Sequence, residues 1–263
     1  MDTSPATPTP APSHQPQAHS AGPWALEETI SLGATTHVYR ARNGLTGQEG
    51  ALKVFIDGTL GPQELQALSL AHPNLPVLLD SGETPEGLLY IVTEYIPGQT
   101  LEAVLATLGP LPPRDAVTIT ERLTSVLRLT HGSGLLHRDL KPSNVIIPDK
   151  RGLEGVILLD FSLAGQLQTG TDQTSTGGLF GTPNYWAPEQ LTNAPHTRAT
   201  DIWGLGVLLH EMLTGHTPFK RDDWRETLLA IQSGSLDLPK SDPWGLNPIL
   251  ARCLAKDHHE RFQ

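Results

Sequence analysis

The sequence predicts an α+β chain in two lobes, a small β-rich lobe followed by a larger helical one. Three observations carry this reading. Between Trp24 and about Tyr95, the runs "THVYRAR", "GALKVFI" and "LLYIVTEY" are rich in β-branched and aromatic residues, with Gly and Pro clusters between them. After Gly98 the apolar spacing changes: Ala116, Ile119, Leu123, Val126 and Leu127 recur every three or four residues, the period of an amphipathic helix. Finally, "DIWGLGVLLHEMLTG" is apolar nearly all round, as a helix buried on every side would be.

Taken in order, residues 1–23 hold six prolines and no large apolar side chain beyond Met1. Such a segment cannot bury enough surface to offset its ordering entropy, so a disordered tail, partly polyproline-like, is expected there, with order beginning near Trp24. The β-type runs then build the first lobe, about 24–95, interrupted by one short helix around Pro62–Leu70. The second lobe, about 96–263, contains the helix that starts after Pro112–Pro113 and runs to Gly132. It also contains the all-apolar helix, which Gly215 should close as a C-cap.

Composition narrows the function. A net charge of −10 with only 18 Lys and Arg argues against a nucleic-acid surface, which needs a basic footprint. Cys253 is the only cysteine, so no intrachain disulfide forms, which fits a reducing cytoplasm. No apolar run reaches the roughly 18 residues of a membrane span, and the N-terminus lacks the pattern of a signal peptide.

Chemistry concentrates in four places. "HRDLKPSN" at 137–144 sets two cations, a carboxylate, a His and an Asn between apolar runs. "VILLDFSLAG" at 156–165 places Asp160 at the end of an apolar strand. "GTPNYWAPEQ" occupies 181–190, and upstream a lone Lys53 interrupts the strand "ALKVF". Phosphoryl transfer from ATP needs these types together: oxygen donors for Mg²⁺, a cation on the phosphates, and a carboxylate to orient the acceptor hydroxyl and take its proton.

These motifs, in this order, resemble those of the eukaryotic-type serine/threonine protein kinases, close in texture to the bacterial members, from about Ser31 to Gln263. The resemblance implies the bilobal protein-kinase fold, ATP with Mg²⁺ (or Mn²⁺) as cofactors, and protein substrates. It implies that Asp139 is the catalytic base, that Lys141 contacts the transferring phosphate, and that Asn144 and Asp160 hold the metal. Lys53 would contact the α- and β-phosphates, with Glu64 as its partner. Thr93 would be the gatekeeper, and Glu94, Tyr95 and Ile96 the adenine-binding hinge. Asp201 would support the catalytic loop, His137 would be structural, and Arg261 would pair with the Glu189 of Ala187-Pro188-Glu189. Lys141 together with "GTP" at 181–183 is similar to the Ser/Thr branch.

The chain also departs from the pattern. Against G-x-G-x-x-G-x-V, "SLGATTHVYRA" holds only Gly33, and Val38 follows two residues too soon for a loop starting there, so a shortened loop is expected. Ser162 replaces the Gly after Asp-Phe. In the family a further helix follows the "RF" at 261–262, whereas this chain ends at Gln263, so an uncovered apolar groove is expected. A pseudokinase acting as a nucleotide-binding or docking module is the alternative reading, and a small-molecule phosphotransferase of similar fold a third. Residues 169–176, "TGTDQTST", hold no apolar side chain and read as a mobile loop, with Thr174 and Thr176 as phosphorylation sites and Arg138 as partner for the phosphate.

Overall fold

The computed structural model describes residues 20–58, 62–161, 183–192, 194–242 and 244–263. Its first part is a six-stranded antiparallel sheet of order β1-β2-β3-β4-β6-β5. The strands are β1 Ser20–Ala21, β2 Trp24–Leu32, β3 Thr36–Asn43, β4 Glu49–Phe55, β5 Leu78–Glu83 and β6 Leu89–Glu94. A short helix, α1 Pro62–Leu68, follows β4.

The described structure includes Ser20–Pro23, ahead of Trp24. Ser20 and Ala21 pair with Ala25 and Trp24, and Ala21 is fully buried. Gly22 makes the turn at φ +55°, and a Cβ there would stand 2.4 Å from the Tyr90 hydroxyl oxygen. "SAGP" carries no β-type residue, so only its burial against Trp24 and Tyr90 reveals the strand. The remainder of the expected tail, 1–19, lies outside the described residues.

Strand alternation divides the sheet into two faces. Leu52, Val54, Tyr90 and Val92 pack with Trp24 and Ala41 on one. On the other, Phe55 and Ile91 pack against Leu68 of α1. Lys53 shares this second face, because Lys53 pairs directly with Ile91. Period-2 alternation thus aims one cation toward α1 and the cleft.

The second part is helical: α2 Leu101–Leu108, α3 Pro113–Gly132, α4 Arg198–Thr214, α5 Trp224–Ser233 and α6 Asn247–Cys253. The expected stripe of α3, Ala116, Ile119, Leu123, Val126 and Leu127, is buried and packs on Leu205, Leu208 and Leu209 of α4. The α4 helix is buried nearly all round, capped at its start by the Thr197 hydroxyl and at its end by Gly215 at φ +80°. No helix among the described residues is long and apolar enough to cross a membrane. An apolar cavity of about 490 Å³ lies among α3, α4, α6 and Phe262.

A small sheet, β7 Gly98–Thr100, β8 Val145–Pro148 and β9 Ile157–Leu158, belongs to the second part. Gly98 is required there, since a Cβ would lie 2.3 Å from the Ile147 carbonyl oxygen. The pairing Val145↔Leu158 matters most, because it sets the residue before β8 beside the residues after β9.

Candidate active site

The catalytic-loop segment hangs on one carboxylate. Asp201, in the first turn of α4, is 1% exposed. It accepts the backbone N–H of His137 at 2.9 Å, that of Arg138 at 2.7 Å and Nε2–H of His131 at 2.7 Å. Among the described residues, the non-glycine residues at positive φ are Arg138 (φ +65°) and Asp160 (φ +58°), both in this site. That conformation is costly for residues with a Cβ and persists where surrounding bonds over-determine it. His137 is fully buried, donates from Nε2 to the Leu159 carbonyl at 2.8 Å and packs edge-on to Phe161.

This frame presents Asp139. Lys141 Nζ donates to its Oδ2 at 2.6 Å, and Asn144 Nδ2 donates to its carbonyl at 2.8 Å and to Oδ2 at 3.0 Å. With its nitrogen committed to Asp139, the amide oxygen is the atom of the Asn144 side chain that can accept a bond or ligate a cation. The Leu159 N–H bonds the Asn144 carbonyl at 2.8 Å, so the β8–β9 pairing brings Asp160 next to Asn144.

Asp160 also meets the cation from the sheet. Lys53 Nζ lies 2.7 Å from Asp160 Oδ1 and 2.8 Å from Glu64 Oε1. Burial works against the Lys53 ammonium, but the two carboxylates outweigh it and raise its pKa above the ordinary lysine value. The carboxylates differ. Loss of hydration pushes Asp160 upward, yet Lys53 prevails and holds it below the usual range. Glu64, 2% exposed, has a buried Oε2 without a hydrogen-bond partner among the described residues, and burial raises its carboxyl pKa. Asp160 keeps 42% of its side chain exposed, against 3% for Glu64. An amide oxygen and a carboxylate side by side are hard donors that suit Mg²⁺ or Mn²⁺.

Below the cleft, Ala187–Glu189 is tied to the end of the chain. Arg261 Nη1 and Nη2 bond Glu189 Oε1 and Oε2 at 2.7 and 2.9 Å, with both side chains buried. The neighbouring Gln190 Nε2 donates to the Arg138 carbonyl at 2.9 Å, connecting this floor to the catalytic segment.

The protein kinase domain family model matches residues 24–263. The chain belongs to the protein kinase domain family. It is similar to serine/threonine-protein kinase GIN4 of Saccharomyces cerevisiae, 36% identical over 247 residues, covering 84% of this chain and 21% of that protein. It is also similar to serine/threonine-protein kinase PkaA of Streptomyces coelicolor, 33% identical over 90% of this chain and 47% of that protein. Serine/threonine-protein kinase PrkC of Bacillus subtilis is 30% identical over 92% of this chain and 39% of its own length. The chain thus spans less than half the length of these three relatives.

The kinase pattern also corrects the reading of the glycine loop. β2 and β3 form a hairpin with Ser31 paired to Val38, Leu32 to His37, and the Gly33 N–H bonded to the Thr36 carbonyl at 2.8 Å. Ser31 to Val38 has the full length of G-x-G-x-x-G-x-V, with Gly33 at the second glycine position and Ser31 and Thr36 at the first and third. The loop is not shortened: it lacks two glycines, not two residues. Counting forward from the one surviving glycine misaligned it.

Strand register locates the other residues named from the resemblance. Val38 pairs with Lys53, and Thr93 pairs with Ala51 on the same face of the sheet, facing the cleft. Glu94 ends β6 and bonds Val77 through its backbone N–H at 2.9 Å and its Oε1 at 3.3 Å. Ile96, two residues on, is half-buried. Ser162, Thr174 and Thr176 lie outside the described residues. The sequence reading gave His131 and Gln190 no role: their parts depend on Asp201 and Arg138, distant in sequence. Thr200, whose hydroxyl donates to Glu189 Oε1 at 2.9 Å, was missed for the same reason.

Proposed function

We propose that this chain is an ATP-dependent protein kinase that phosphorylates Ser and Thr hydroxyls of proteins and also phosphorylates itself. The observation that carries the reading is the meeting of Asp139, Lys141, Asn144 and Asp160 with the Lys53–Glu64 pair in one cleft. A docking module has no chemical need for all of them, which counts against the pseudokinase.

In this reading the lobe of about 24–95 binds the nucleotide and that of about 96–263 the acceptor. The adenine end meets the hinge of Glu94, Tyr95 and Ile96, with Thr93 at its back and Gly33 and Val38 above. Lys53, oriented by Glu64, neutralises the α- and β-phosphates. Asn144 and Asp160 would hold Mg²⁺ or Mn²⁺, which supplies charge neutralisation on the phosphates. Asp139 orients the acceptor hydroxyl and accepts its proton. Lys141, bonded to Asp139 Oδ2, offers positive charge to the transferring phosphoryl group. Lys141 in "HRDLK", together with "GTP" at 181–183, supports the Ser/Thr branch. Thr174 and Thr176 are the self-phosphorylation sites, with Arg138 as the phosphate's partner. The free thiol of Cys253 supports a cytoplasmic setting.

The test supplies radiolabelled ATP and Mg²⁺ with a basic protein, or with sugars and aminoglycosides. Label on protein Ser and Thr is the expected result. Label on the small molecules alone, or on nothing, would overturn the proposal.

A further inference from the structure

We infer that Arg40 is a positioning residue for the nucleotide, stacking on Tyr95 to tie the phosphate-loop hairpin to the hinge. The inference rests on the reading of the cleft as an ATP site.

Strand register places Arg40. It pairs with Ala51, which pairs with Thr93, one row out from Val38, Lys53 and Ile91 on the same face of the sheet. Arg40 therefore faces the cleft, two residues after Val38 and beside the hinge. There its guanidinium carbon lies 4.9 Å from the centroid of the Tyr95 ring. Cations at this distance are attracted to the negative face of the ring.

Tyr95 needs such a contact. The β4–β6 ladder ends at the pair Gly50↔Glu94, so backbone pairing with β4 stops one residue short of it. On the other side, Val77 holds Glu94 and not Tyr95. A side chain reaching past the end of the ladder can fix Tyr95 where the ladder cannot, and with it the backbone of Glu94 and Ile96.

Arg40 is itself held in place. Glu49 Oε1 accepts from its Nη2 at 2.9 Å, and Glu27 and Glu28 each approach to 4.0 Å. These carboxylates come from the neighbouring strands β2 and β4, so the guanidinium is aimed before any nucleotide arrives. A pre-aimed contact lowers the ordering cost of binding. Its loss should act on nucleotide affinity and leave the transfer step alone.

The test is a double-mutant cycle with Arg40→Ala and Tyr95→Leu, followed by steady-state transfer from Mg-ATP to histone H1 and by calorimetric titration of Mg-ATP. A contact of about 0.5–1 kcal/mol corresponds to a two- to fivefold rise in KM and Kd for ATP. Each single change should give that rise at nearly constant kcat. The double change should be no worse than the poorer single, and Arg40→Lys should recover part of the loss. Additive effects, an unchanged KM in Arg40→Ala, or a fall confined to kcat would each overturn the inference. A wild-type chain that binds ATP but transfers nothing would count against the catalytic reading alone, while the cycle in Kd still decides the part of Arg40. A wild-type chain that binds no ATP overturns both.

Discussion

Removing Arg261 should unfasten the floor of the cleft. Its guanidinium gives two bonds to Glu189 and others to the carbonyls of Ala199, Ala255 and Lys256 at 2.9, 2.8 and 3.2 Å. It also lies 4.9 Å over the ring of Trp203. In Arg261→Met the Glu189 carboxylate, whose side chain is 4% exposed, stays behind without its counter-charge. Breaking a buried pair in this way costs about 3–5 kcal/mol, a large part of the 5–15 kcal/mol that holds a typical fold. For a chain of this size that is a fall in Tm of roughly 6–20 °C. Replacing both charges, in Glu189→Met with Arg261→Met, should cost less than Arg261→Met alone, because no buried charge is stranded. Urea unfolding followed by tryptophan fluorescence reads both, since Trp203 is in the contact. Acid should act on the same pair. Burial pushes the Glu189 carboxyl up, but Arg261 pulls harder and holds it below the ordinary 4.5. The unfolded chain therefore takes up this proton first. The pair's contribution is complete above about pH 4.5 and is lost as pH falls through the lower folded value, so Arg261→Met should remove this part of the acid sensitivity. Arg261→Met within about 1 kcal/mol of wild type, or a double variant that loses the sum of the singles, would refute the reasoning.

Asp139→Asn should lower kcat by about 10²–10⁴-fold with KM for ATP nearly unchanged in steady-state assays, because the proton acceptor is lost and the nucleotide contacts stay. Asp160→Asn should raise the Mg²⁺ concentration needed for activity as well, which a metal titration reads. Deleting residues 1–19 should leave stability within about 0.5 kcal/mol. Deleting through Pro23 should lower Tm measurably, since it strips the β1 pairing and the buried Ala21. Mass spectrometry of protein expressed with and without Asp139→Asn should find phosphate on Thr174 or Thr176 only when Asp139 is intact. A loop unmodified in fully active protein would dismiss those sites.

The two-lobed layout was legible because it rests on local periodicities. The stripe from Ala116 to Leu127, the all-apolar α4 and the β-type runs each encode their own element, and Gly215 marks its own cap. Strands β1 and β5 were not legible: "SA" and "LLDSGE" have weak strand propensity and are strands because a neighbour pairs with them. At the site, the types and order of Lys53, Asp139, Asn144 and Asp160 were plain in the chain. Their convergence was not, since 107 residues separate Lys53 from Asp160, whose side chains lie 2.7 Å apart. That closeness comes from alternation in β4, from the Val145↔Leu158 pairing and from the grip of Asp201 on His137 and Arg138. The length of the glycine loop needed only a count back from Val38 to Ser31, and the pairing of those two residues marks its ends. Sequence determined the elements and the reactive groups, because propensity and periodicity act over a few residues. Tertiary structure decided which groups meet and in which direction each carboxyl pKa moves, because pairing register and burial are set by residues far away in the chain.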